Sequence, residues 1–248
     1  METLFIVMPA YNEEANIETT IKQWHPVCEA ICAEGNVAKL VIANDGSKDN
    51  TGKVLEELKA KYPYLEPLNK PNSGHGATVL YLYRYAIDNG TNYVFQTDSD
   101  GQTNPDEFYD FWAKRANYTG QFGNRTERGD GQQRAFVEKV VCLLVRIFFR
   151  VKLPDANAPF RLMQTEALKR YIDVMPKEYN LPNIILTMCF VRFGEPVRFM
   201  PITFKPRQGG VNSINMKRIF KIGWQALTDF RTIKKNLKSY TKNNGKVK

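Results

Sequence analysis

Three short apolar runs, each closed by a polar loop, set the narrowest limit on how this chain can fold. Leu4-Phe5-Ile6-Val7-Met8 runs into Pro9-Ala10-Tyr11-Asn12-Glu13-Glu14. Lys39-Leu40-Val41-Ile42-Ala43 runs into Asn44-Asp45-Gly46-Ser47-Lys48-Asp49-Asn50-Thr51. Tyr93-Val94-Phe95-Gln96-Thr97 runs into Asp98-Ser99-Asp100-Gly101-Gln102. Near-continuous apolar runs of this length read as strands buried on both faces, which is the habit of a parallel sheet. Between them the spacing predicts helices over 14–34, 52–62 and 77–89, with a short strand over 65–68; Gly35 and Gly90 stand just past two of the helix ends. This alternation predicts an α/β fold, a parallel sheet flanked by helices. Ligands of such sheets bind beyond the carboxyl ends of the strands, so the loops holding Tyr11, Asp45 and Asp98 are expected to line one rim.

The second half is less regular. A helix is expected over 105–116, a strand over 119–123, a polar, basic loop over 124–133 and a helix over 135–150. The wide apolar arc of that last helix reads first as a core face, with lipid contact as the alternative. Residues 155–162 read as a turn entering a strand, 184–193 as a core helix, 197–204 as a strand and 205–213 as a basic loop. From Asn215 onward Ile219, Ile222, Trp224, Leu227, Phe230 and Ile233 mix with Lys and Arg, the pattern of an amphipathic basic helix. The expected organisation is one domain over 1–210 and a basic tail over 211–248.

The third loop carries the sharpest chemistry. If the strand continued through it, Asp98 and Asp100 would point to one face, since side chains alternate along a strand. Two carboxylates held together need a cation, and hard oxygen ligands suit Mg²⁺ or Mn²⁺ shared with substrate phosphates. A solvated Asp-Gly turn closing the strand is the other reading.

Charge is unevenly placed. The net charge is +9, yet residues 211–248 hold ten Lys or Arg against one acid, and residues 1–210 are balanced at twenty-five of each sign. The excess points to an anionic surface, a membrane leaflet or nucleic acid. The tail lacks the interleaved aromatics of single-strand binders, so no nucleic acid is expected. The four cysteines, Cys28, Cys32, Cys142 and Cys189, have neither zinc spacing nor the density of a disulfide framework and read as reduced thiols. No basic segment precedes the first strand and no run approaches the roughly 18–20 apolar residues of a spanning helix. The expected place is therefore cytoplasmic, peripheral on the inner face of the membrane.

In order along the chain, the loops after Val7, after Ala43, the segment Asn72-Ser73-Gly74-His75-Gly76-Ala77, the motif Asp98-Ser99-Asp100-Gly101-Gln102, and the segments 155–161 and 207–213 resemble the motifs of family 2 glycosyltransferases of the GT-A fold. Within that family the chain is similar to dolichol-phosphate mannose synthase and bacterial polyprenyl-phosphate glycosyltransferases. The resemblance implies a GT-A, Rossmann-like fold. It implies an inverting, metal-dependent enzyme moving a hexose from a nucleotide diphosphate sugar, of UDP-glucose or GDP-mannose type, to a polyprenyl phosphate.

It also implies roles for residues. Pro9, Tyr11 and Glu13 would line the base and ribose, and Asp45 would accept a hydrogen bond from the base. Asp98 and Asp100, with Gln102, would hold Mg²⁺ or Mn²⁺ on the donor diphosphate. Arg125, Arg134 and Arg207 would meet phosphates, Arg207 within the catalytic set. Ser213 would support the acceptor phosphate, and Asp155 would order the acceptor loop. His75 stands where Lys or Arg is more usual, and Glu138 near where a Ser is expected. No acid aligns with the general base that sugar acceptors require, Glu178 being the nearest. A phosphate acceptor is already an anion and needs no such base. Two rivals stay open: transfer to a cell-envelope saccharide with Glu178 or Asp155 as base, and a non-catalytic nucleotide-sugar or nucleic-acid binding protein. Whether the chain forms a homodimer or meets a membrane-protein partner is likewise open.

Overall fold

A computed structural model describes residues 1–128, 132–206 and 228–241. The elements are β1 (Thr3–Ala10), α1 (Ile17–Ala33), β2 (Val37–Asp45), α2 (Thr51–Lys59), β3 (Leu65–Lys70), α3 (His75–Asp88), β4 (Tyr93–Thr97), α4 (Phe108–Ala113), β5 (Gly120–Arg128), α5 (Gln132–Phe149), β6 (Phe160–Gln164), α6 (Thr165–Tyr171), α7 (Pro182–Arg192) and β7 (Val197–Phe204). Residues 228–241 form a further helix, α8. The seven strands make one sheet in the order β3-β2-β1-β4-β6-β5-β7. β6 runs antiparallel to both of its neighbours, and the other strand pairs are parallel.

The apolar runs become the central strands because both faces of the sheet are covered. On one face Leu4, Ile6, Leu40, Ile42 and Phe95 pack beneath α1, α2 and α4. On the other Phe5, Val7, Val41 and Val94 pack beneath α3 and share one core with apolar residues of α5, α7 and α8. The chain steps outward from β1 to β2 and β3, then returns to the far side of β1 with β4. That reversal opens a crevice between the carboxyl ends of β1 and β4, the usual ligand site of an open α/β sheet.

Three sequence expectations shift. β5 continues through Asn124 to Arg128, where a loop was expected, because parallel pairing with β7 sustains a polar strand; the register slips by one residue between Arg125 and Glu127. α1 begins at Ile17 rather than near residue 14, because Glu13 and Glu14 are held in loop-to-loop hydrogen bonds. Within the described tail residues 228–241 the apolar side chains turn inward: Phe230 and Ile233 are 1 % exposed and Leu237 is 3 % exposed, with Phe230 against Phe148 and Phe149 of α5, while the expected amphipathic stretch before residue 228 lies outside the described residues.

Candidate active site

The rim is built by loops that hold one another. The Asn12 N–H donates to Ser47 Oγ, the Glu13 N–H to Thr51 Oγ1 and the Glu14 N–H to Asp49 Oδ2. In return Asn12 Oδ1 accepts from the Lys48 N–H, and the Glu14 carboxylate accepts from the backbone and side-chain amides of Asn50. The β1 and β2 loops are thereby one unit. Glu13 is buried and accepts from Asn16 Nδ2 at 2.8 Å, while Tyr11 is 41 % exposed on the rim.

Asp45 closes β2, and its carboxylate organises the glycine loop. Oδ1 accepts from Lys70 Nζ at 2.5 Å and from the Ser73 N–H at 2.9 Å; Oδ2 accepts from the Gly74 N–H at 2.9 Å. Burial pushes this carboxyl up, but Lys70, the Ser73 N–H and Thr78 together outweigh it and hold the group below the ordinary Asp value. Gly46, at φ +61°, lets the Asn72 backbone approach so closely that a Cβ would lie 2.7 Å from Asn72 N. Lys70 was not singled out from the sequence, because a Lys before a Pro reads as loop surface.

β4 stops at Thr97, so Asp98 and Asp100 lie just beyond the strand and strand alternation does not carry through them. Ser99 turns inward, donating its hydroxyl to the Pro9 carbonyl at 2.8 Å and accepting at its own carbonyl from Thr20 Oγ1 at 3.0 Å. The two flanking aspartates are partly exposed. Behind Asp98 runs a buried amide chain. Gln96 Nε2 donates to Asp98 Oδ1 at 3.1 Å, Asn183 Nδ2 donates to Gln96 Oε1 at 2.9 Å, and the Tyr83 hydroxyl donates to Asn183 Oδ1 at 3.0 Å. His75 Nε2, at the start of α3, is 3.8 Å from Asp98 Oδ1. Gln102 Nε2 donates to the Lys205 carbonyl and the Lys205 N–H donates to the Gln102 carbonyl, tying the Asp-Gly-Gln turn to the end of β7.

Among the described residues no three His, Cys, Asp or Glu side chains cluster into an all-protein metal cage. Two partly exposed carboxylates fit the other way of holding Mg²⁺ or Mn²⁺, with substrate phosphates and water completing the shell.

On the β5 side, Arg125 is buried between two carboxylates. Its Nε donates to Asp155 Oδ2 at 2.7 Å, and its Nη2 to Asp155 Oδ1 at 2.9 Å and to Glu138 Oε2 at 3.1 Å. Glu138 Oε1 accepts from the Ala156 N–H at 2.8 Å. Burial would raise Asp155, but Arg125 outweighs it and holds the carboxyl low; burial and the Asp155 charge push Glu138 up against the opposing pull of Arg125. Nearby, Arg161 is 1 % exposed over the Phe122 ring, with Nε and Nη1 buried and without hydrogen-bond partners among the described residues. Glu178 is exposed. Arg207, Ser213 and the side chain of Arg134 lie outside the described residues. Gln96 and Asn183 have no role legible in the sequence because single polar residues beside apolar runs carry no motif, and Arg161, which ends the motif-like segment 155–161, has no role of its own there.

The glycosyl transferase family 2 sequence model matches residues 5–172. Polyprenol monophosphomannose synthase of Mycolicibacterium smegmatis is 24 % identical over 223 residues, 86 % of this chain and 82 % of that protein. An undecaprenyl-phosphate 4-deoxy-4-formamido-L-arabinose transferase of Shewanella sediminis is 23 % identical over 236 residues, 92 % of this chain and 66 % of that protein. The crystal structure of glucosyl-3-phosphoglycerate synthase from Mycobacterium tuberculosis, in complex with Mn²⁺ and UDP-glucose, superposes with a TM-score of 0.67 at 17 % identity, covering 94 % of this chain and 79 % of that one.

Proposed function

The chain belongs to glycosyl transferase family 2 and is a glycosyltransferase; on that premise we propose that it moves a hexose from a nucleotide diphosphate sugar to a polyprenyl phosphate, with inversion. The observation that carries this reading is the Asp98/Asp100 pair at the carboxyl end of β4, beside the Pro9–Glu14 loop and backed by the Gln96–Asn183–Tyr83 chain. The nucleoside would lie on the unit formed by the β1 and β2 loops, with Pro9, Tyr11 and Glu13 lining it. Asp45 would serve by fixing the glycine loop as much as by meeting the base. Asp98, Asp100 and Gln102 would hold Mg²⁺ or Mn²⁺, which when bound neutralises charge developing on the leaving diphosphate.

The acceptor phosphate oxygen would attack the anomeric carbon as the bond to the nucleoside diphosphate breaks. No proton has to leave that oxygen. The two acids available as a base for a sugar hydroxyl support this choice: Asp155 is engaged by Arg125 and its carboxyl is held low, and Glu178 is exposed. The names of the two relatives, acting on polyprenol and undecaprenyl phosphates, point the same way. Arg125 and Asp155, with Arg134, Arg207 and Ser213, would form the acceptor side.

The test is nucleoside diphosphate release from UDP-glucose and GDP-mannose, with Mn²⁺ or Mg²⁺, with and without a short polyprenyl phosphate in detergent. Release should need both metal and lipid phosphate, and Asp98→Asn should lower kcat by about 10²–10³. Release driven equally well by a saccharide acceptor, or indifferent to the lipid phosphate, would sink the reading.

A further inference from the structure

Four of the most exposed apolar side chains stand on one helix. Phe136, Val140, Leu143 and Ile147 of α5 are 67 %, 39 %, 53 % and 63 % exposed. Their spacing of four, three and four residues aligns them in a single stripe. Scattered exposed apolar residues are ordinary, but an aligned row marks a contact surface. The stripe is not the core face of α5. That face carries Val145 and Phe149, both buried, and Glu138, which reaches Arg125.

Among the described residues from Phe136 to Lys152 the exposed charges have one sign. Lys139 and Arg146 on α5, and Arg150 and Lys152 just beyond it, are exposed, whereas the acid of this stretch, Glu138, points inward. Beside the end of α5 a cleft of about 390 Å³ has Phe148, Phe149 and Leu237 in its walls and Lys234 and Lys238 of α8 among its lining residues. The apolar face of α8 is already used against the body, so its exposed charged residues, Arg231, Lys234, Lys235 and Lys238, add only cations.

We propose that the α5 stripe and its cationic flank dock the protein onto an anionic lipid bilayer, the apolar row entering the boundary between headgroups and acyl chains and the cations meeting lipid phosphates. Apolar side chains on one line, with Lys139, Arg146, Arg150 and Lys152 exposed beside and beyond them, match a surface that is oily below and negative above. The same helix turns Glu138 toward Arg125 and Asp155 on its inner side, so docking here brings the acceptor side of the site to the bilayer. The inference rests on the lipid-phosphate reading for its purpose, but docking is measured with neither donor nor acceptor present.

The experiment is co-sedimentation of the full chain with vesicles of phosphatidylcholine alone and of phosphatidylcholine mixed with phosphatidylglycerol. The parent should partition onto the mixed vesicles and far less onto the neutral ones. Leu143→Glu with Ile147→Glu should weaken partitioning about tenfold or more, whereas Tyr81→Glu, at an exposed position on α3, should leave it unchanged. Melting curves of both variants separate a folding defect from lost docking. Undiminished partitioning of the double variant, or none by the parent, would overturn the proposal. So would a solution dimer that the double variant dissociates without touching vesicle binding, which would assign the stripe to a second copy of the chain. If vesicle binding behaves as expected while no lipid phosphate accepts sugar, the docking surface stands and the acceptor reading falls.

Discussion

Asp45 illustrates how a single carboxylate can tie a strand end to the loop beside it. Its side chain is 3 % exposed and that of Lys70 is 13 % exposed, and the carboxylate also receives the Ser73 and Gly74 N–H groups. Removing one partner of such a pair leaves the other charge buried and uncompensated, which costs about 3–5 kcal/mol. Lys70→Met should therefore lower stability by about that amount at neutral pH, as read by urea denaturation, and raise KM for the donor through a loosened glycine loop. The pH dependence has a definite sign. Asp45 is held below its ordinary value in the folded protein, so its contribution is complete above the unfolded value and is lost as pH falls through the folded one. The stability gap between parent and Lys70→Met should narrow in acid. A gap that stays constant from neutrality to acid would show that Lys70 contributes through packing of its methylenes.

At the scale of elements, β4 and β6 meet with opposite demands. β4 pairs antiparallel with β6 so that Gln96 lies opposite Arg161. Gln96 is bonded at both ends of its amide into the chain behind Asp98, whereas Arg161 donates through Nη2 to Thr187 and leaves two nitrogens buried without partners among the described residues. A guanidinium so placed is expensive: burial pulls its pKa below the ordinary Arg value against the opposing pull of Tyr83 and Asp155. Arg161→Met keeps most of the volume and removes the charge. In urea denaturation it should be at least as stable as the parent, by up to about 4 kcal/mol, while Arg161→Ala, which opens a cavity, should lose about 2–5 kcal/mol. Equal losses in both would mean that the sheet requires the charge itself. This region also marks where sequence reading stops. β1, β2 and β4 were legible because each is an apolar run ended by a polar loop, and the alternation of strands and helices is enough to put their carboxyl-end loops on one rim. β5 beyond Gly123 was not, because Asn124-Arg125-Thr126-Glu127-Arg128 has loop composition and becomes a strand only by pairing with β7. Likewise Asp98 and Asp100 were legible as a motif, but the Gln96–Asn183–Tyr83 chain behind them joins residues up to a hundred positions apart, which no local pattern encodes.

Across the whole molecule, charge and site are arranged on different terms. Residues 1–210 are electrically balanced and residues 211–248 are strongly basic, while the described part of that tail packs its apolar side onto α5 and leaves Arg231, Lys234, Lys235 and Lys238 exposed. Such charges act through solvent, so salt weakens them: the screening length is about 10 Å at 0.1 M and about 3 Å at 1 M. Asp45 with Lys70, and Arg125 with Asp155, are paired at contact distance with little exposure, where screening reaches much less. Each basic residue near an anionic leaflet contributes about 1 kcal/mol at moderate salt, so several acting together dominate attachment. Raising salt should therefore increase the apparent KM for an acceptor embedded in anionic vesicles by a large factor, and leave KM for the water-soluble donor within about twofold, screening being weak at short range. With neutral vesicles the acceptor KM should start high and respond little to salt. Steady-state kinetics over a salt series with both vesicle types reads all of these quantities. If donor and acceptor KM instead rise together in both, salt is acting on the rim loops rather than on attachment, and the basic tail has some role other than holding the enzyme to its acceptor's membrane.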